Sequence, residues 1–146
     1  MMTNDKSMET LVQQRVATYF VTGDNNCAMT VLRVLSEVFE TPLAQPVIDA
    51  AQCMPGAGGV DHLCGLVAGA LMFVGVWGGQ QGLHRSVLRP VTSGLSQAVA
   101  ERFGSLMCGD LRPADGCGPL AVTFLTFAIP YLESRLNVEA FGTFKR

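Results

Sequence analysis

The chain has 146 residues, 49% of them hydrophobic and only 15% charged, with a formal net charge of −2. This length predicts one domain, and the apolar balance predicts a large core or a face buried in a homodimer. The arginines are scattered and form no basic run interleaved with aromatics, so neither charge nor pattern points to nucleic acid.

In chain order, a first helix is expected over about Ser7–Val21, closed by Gly23. Asp24, Asn25 and Asn26 are candidate caps for a second helix. Its stripe of Val31, Leu32, Val34, Leu35, Val38 and Phe39 recurs at helical spacing until Pro42. A short helix follows Pro46. The glycine-rich stretch Pro55–Gly59 reads as a hinge loop; with no Lys-Ser/Thr ending and no preceding strand, it is not a phosphate loop. Asp61 is placed to cap a central helix over about 61–77, apolar on nearly all sides. Gly65 and Gly69, four apart on one face of it, admit a close partner. Gly78, Gly79 and Gly82 end it.

A more polar helix is expected over His84–Phe103, with Leu88, Val91, Leu95 and Val99 inward and Pro90 as a kink or late start. Gly104-Ser105 opens a turn carrying Cys108. Asp110–Gly116 reads as a loop, with Asp115, like Asp24, as a cap. The last helix begins near Cys117 or Pro119 and ends near Asn137. No strand is expected. The sum is a compact all-α bundle of about six helices around the central one, a single domain over 1–146 with 1–6 and 141–146 frayed. Met29, Met54, Met72 and Met107 are read as core filler.

The longest apolar run, Leu63–Trp77, is 15 residues, short of the ~20 that cross a bilayer. The opening segment lacks the basic and apolar regions of a signal peptide, so a cytoplasmic, reducing setting is expected. There, five cysteines point to redox, catalytic or metal chemistry rather than to a disulfide framework.

Four of the five cysteines precede a minimal residue: Cys27-Ala28, Cys64-Gly65, Cys108-Gly109 and Cys117-Gly118. At least three sit where helices are expected to begin. Unpaired N–H groups and the helix dipole there favour an anion, so a thiol is expected to shift toward thiolate. The small neighbour leaves the sulfur uncrowded and lets another backbone approach. Cys53, before Met54, breaks the pattern. The gaps of 37, 44 and 9 residues contain no C-x-x-C, so only tertiary folding can unite the four. His62, two residues before Cys64, is a candidate to raise its thiolate fraction or to act as a ligand. No serine stands with a histidine and an acid in a hydrolase order.

From Asn26 onward, the order Asn-Cys-Ala, glycine-rich loop, Cys-Gly-Leu-Val-Ala-Gly, Phe-Gly-Ser-Leu-Met-Cys-Gly and a final cysteine before an apolar helix resembles the C_GCAxxG_C_C family of redox-active proteins. The resemblance covers about Asp24–Leu136. It places the family's signature cysteines on Cys27, Cys64, Cys108 and Cys117, with Leu66 where the motif has alanine. It implies thiol–disulfide or electron-transfer chemistry, as in a thiol-dependent oxidoreductase.

In the reading favoured here, Cys64 or Cys27 reacts and a second thiol resolves it, with Cys108 and Cys117 as the other pair. The redox partner, a protein or a small thiol, is left open. The alternative uses the same four thiolates to hold zinc or an iron–sulfur cluster. A third reading is a helical module that acts through its apolar surface.

Overall fold

The computed structural model describes residues 5–137. Every named element among them is helical, as expected. Helix α1, Asp5–Val16, runs directly into a π-helical segment, Ala17–Thr22. Then come α2, Cys27–Val38; α3, Gln45–Ala50; α4, Gly56–Gly59; α5, Gly65–Gln80; α6, Arg85–Phe103; α7, Cys108–Leu111; and α8, Gly118–Glu133. Six are the expected helices, and α4 and α7 are single turns. Of the ends expected to fray, Asp5 and Lys6 belong to α1, and residues 1–4 and 141–146 lie outside the described residues.

The cap of α2 is Asn26, whose side-chain oxygen accepts from the Met29 amide at 2.9 Å. Asp24 does not cap. It sits at φ +55°, in the turn that the Asn25 amide closes by donating to the Tyr19 carbonyl at 3.0 Å. The Nδ2 of Asn26 donates to the Ala51 and Gln52 carbonyls at 3.3 and 2.8 Å, tying the start of α2 to the end of α3. Pro46 lies in the first turn of α3, where its missing N–H costs nothing.

Helix α5 is the axis of the fold. Val67, Ala70, Phe73 and Val74 are fully buried, and α2, α6 and α8 pack around them. Its glycines explain how the neighbours come so close. A Cβ on Gly69 would lie 2.6 Å from the Ala28 carbonyl oxygen of α2, and one on Gly78 would overlap the Leu88 side chain of α6. Leu32 and Leu35 of α2, Leu95 of α6, and Leu125 and Ile129 of α8 complete the core. Such burial gives about 1.5–3 kcal/mol for each large side chain. Helix α8 ends at Glu133, four residues before the expected Asn137.

Two segments differ from expectation. Pro55–Gly59 is a left-handed turn rather than a plain loop: Gly56, Ala57, Gly58 and Gly59 have φ of +67°, +57°, +87° and +91°. Consecutive left-handed residues are tolerable here because three are glycine. The second difference is at Asp61, which does not cap α5. Residues 61–64 instead pair antiparallel with residues 106–109 across a single bridge, Leu63 to Met107. The Cys64 amide donates to the Leu106 carbonyl at 2.8 Å, and the Cys108 amide to the His62 carbonyl at 2.5 Å. Those extended bonds pull Asp61 away from the helix axis, and Cys64 itself becomes the N-cap. Asp115 is no cap either, because Cys117 holds that position for α8. None of the described helices is long and apolar enough to cross a membrane.

Candidate functional site

The four cysteines singled out by their small neighbours converge. Cys27 opens α2, Cys64 caps α5, Cys108 opens α7 and Cys117 caps α8, and together they line one cavity with Gly65, Leu66, Leu111 and Leu120. Every pair among the four is close enough for charge on one sulfur to be felt at the other. The cavity is about 10 Å³ and apolar. That is room for about one water molecule and far below the several hundred Å³ of an organic cofactor site.

Each contact has a local cause. Cys27 Sγ lies directly over Gly65, where any Cβ would overlap it, and the Pro55 ring covers the same glycine, its Cγ 2.9 Å from that Cβ position. So Gly65 is small to admit the sulfur of another helix. Ala28 is small because α5 crosses it at Gly69. Gly109 is small because Asp61 packs on it, its Cβ 3.2 Å from where a side chain would begin. Gly118 is the exception, since a Cβ there meets nothing within 4 Å. The 61–64/106–109 pairing brings Cys64 and Cys108 together. In an antiparallel ladder, positions 62, 64, 106 and 108 share a face, and 64 and 108 are diagonal neighbours.

The electrostatics correct the expectation of low-pKa thiolates. Burial pushes the Cys27 thiol up to about 12, and repulsion from Cys64 and Cys117 adds to it; the Ala28 amide opposes this only partly. Cys64, 6% exposed, is raised by burial first, against donation from the Leu66 and Val67 amides, with Cys108 and Cys117 adding to the rise. Cys117 is raised by burial and by Cys108, while the Arg112 guanidinium pulls it back down. The helix-start N–H groups do act on Cys27 and Cys64, but desolvation outweighs them. At neutral pH a thiol with a pKa near 12 is ionised roughly one part in 10⁵.

All five cysteines are free thiols. Among the described residues, no group of three or more His, Cys, Asp or Glu side chains is arranged to hold a metal ion. Four thiols at one cavity are the donor set that zinc or an iron–sulfur cluster uses. His62 is exposed, and its backbone carbonyl accepts from the Cys108 amide. Cys53 is exposed and apart from the cavity. Met107, expected in the core, is exposed. Sequence reasoning missed Arg112, which lines the cavity and pairs with Asp61 at 3.0 Å. One signal was available: it is the only cation between Cys108 and Cys117.

The family model of C_GCAxxG_C_C, described as a putative redox-active protein, matches residues 25–126. No curated protein and no solved structure matches the chain. The match spans more than half of the sequence, and the chain belongs to this family.

Proposed function

We propose that the protein takes up and releases electron pairs as disulfides within its four-cysteine cluster. The observation that carries this reading is that four thiols from four separate segments wall one apolar cavity too small for an organic redox cofactor. Dithiol and disulfide are both uncharged, so an apolar cavity tolerates either; only the thiolate between them is penalised. Burial therefore slows adventitious chemistry without opposing the end states.

The exchange begins at the shallower pair. The Cys117 thiolate attacks a sulfur of a partner's disulfide, R–S–S–R, forming a Cys117–S–S–R mixed disulfide and expelling RS⁻, which takes up the proton that Cys117 gave up. Cys108 then attacks the Cys117 sulfur, closes Cys108–Cys117, and releases the second RSH. In sum, two cysteine thiols and one partner disulfide become one internal disulfide and two partner thiols. Exchange with Cys64, diagonal to Cys108, passes the oxidation inward to Cys27 and Cys64, and restores the outer thiols. The deeper pair, half-buried Cys27 and buried Cys64, stores what the outer pair exchanges.

The test is to reduce the protein without oxygen, add one and then two equivalents of hydroxyethyl disulfide, and map the linkages by mass spectrometry. The reading expects about two and then four thiols lost from Cys27, Cys64, Cys108 and Cys117, all in monomer-internal bonds. Mixed disulfides confined to Cys53, with the other four still reduced, would refute it.

A further inference from the structure

We infer that Arg112, anchored by Asp61, is the positioning residue that makes Cys117 the thiol at which exchange opens. The inference rests on the disulfide reading above and assigns its point of entry.

Three observations carry it. Arg112 is on the short connection that carries Cys117 to the cap position of α8, and its side chain lines the same cavity as the four thiols. Its Nη2 is held by Asp61 Oδ1 at 3.0 Å, across 51 residues of sequence. Asp61 is itself fixed, because its backbone carbonyl accepts from the Gly109 amide at 3.0 Å in the ladder beside Cys108. The guanidinium is therefore placed by the same pairing that assembles the cluster.

The charged and titratable groups facing Cys117 are Cys27 from α2, Cys64 from the start of α5, Cys108 from α7, and Arg112. Three of them are thiols, which oppose a second anion. Arg112 alone favours one, and among the three thiols raised by burial only Cys117 has such a neighbour. A thiolate formed at Cys117 is thus less penalised than one at Cys27, and it is the one that a neighbouring guanidinium favours.

The test is residue-resolved alkylation of the reduced full-length chain by iodoacetamide from pH 6 to 11, read by mass spectrometry. In Arg112→Met, Cys117 should alkylate about threefold more slowly at pH 8, with its midpoint moved up by about half a unit, while Cys27 is unchanged. Arg112→Lys should recover most of the rate. Because Arg112 is half-exposed, raising salt from 0.05 to 1 M in the unaltered protein should move the Cys117 midpoint the same way; this arm needs no variant to fold. A Cys117 profile indifferent to Arg112→Met, or to salt where that variant does not fold, overturns the inference. The alkylation readout does not require internal disulfides to form, so failure of the disulfide reading and failure of this assignment are told apart.

Discussion

The same dipeptide, Cys-Gly, begins both α5 and α8, yet the two glycines have opposite surroundings. Gly65 is covered by the Cys27 sulfur and the Pro55 ring, and four residues on Gly69 lies against the α2 backbone. Gly118 faces open space. The buried half of the cluster is thus set by helix-on-helix packing, where small residues are a steric necessity. In the outer half Asp61 packs on Gly109, and only at Gly118, on the short connection to α8, does nothing forbid a larger side chain. A motif that looks uniform in sequence has two physical origins: packing fixes Ala28, Gly65 and Gly109, whereas nothing packs on Gly118, beside the thiol proposed to open the exchange.

Substitution should expose the contrast most strongly at Gly69. Gly69→Ala places a methyl 2.6 Å from the Ala28 carbonyl oxygen, which is backbone and yields only if the helices part. We expect a loss of about 1–3 kcal/mol in urea unfolding. An unchanged midpoint would mean that the α2–α5 contact is looser than described.

The next effect is in alkaline stability. The unfolded chain releases the Cys27 proton near 9.0, whereas the folded chain holds it to about 12. Folding stability from this group is therefore complete below pH 9 and is lost as pH rises toward 12, at up to about 1.4 kcal/mol per pH unit. Cys27→Ala should flatten that slope between pH 9 and 10.5, measured on the reduced protein. Equal slopes in the two proteins would show that the cavity does not desolvate this sulfur.

Alkylation should also rank the thiols by region. At pH 8, exposed Cys53 is expected to react first, Cys117 well before Cys27, and Cys27 more than tenfold more slowly than Cys53. Cys27 reacting as fast as Cys53 would erase the distinction between the two halves. The smallest effect belongs to Gly118→Ala, which should raise stability by about 0.4–1 kcal/mol by stiffening the unfolded chain without meeting any neighbour. A loss there would show that Gly118 is held as tightly as Gly65.

The elements that sequence disclosed are those with local causes. Asn26 caps because its side chain reaches an amide three residues on, and Gly65 and Gly69 mark a close face because helical spacing puts them there. Convergence of the cysteines was legible only as a shared pattern of small neighbours. What escaped was tertiary. Asp61 carries the chemistry of a cap but is diverted by partners more than forty residues away. The acidity of the thiols was misjudged for the same reason, since helix-start donors can be read locally while burial cannot. Arg112 was the lone cation between two cysteines, but its link to Asp61 depends on a ladder of two short segments that carry no strand signature.

That ladder has a mechanical consequence. It stitches the entrance of α5 to the exit of α6, so the helical hairpin between them is closed at its base. Cys64 and Cys108, on the two sides of the stitch, must travel together in any swing of this part of the molecule. Cys27 and Cys117 stand on other levers. Any such swing would keep Cys64 and Cys108 together and alter their distances to Cys27 and Cys117, in the manner of a clutch engaging one shaft or the other.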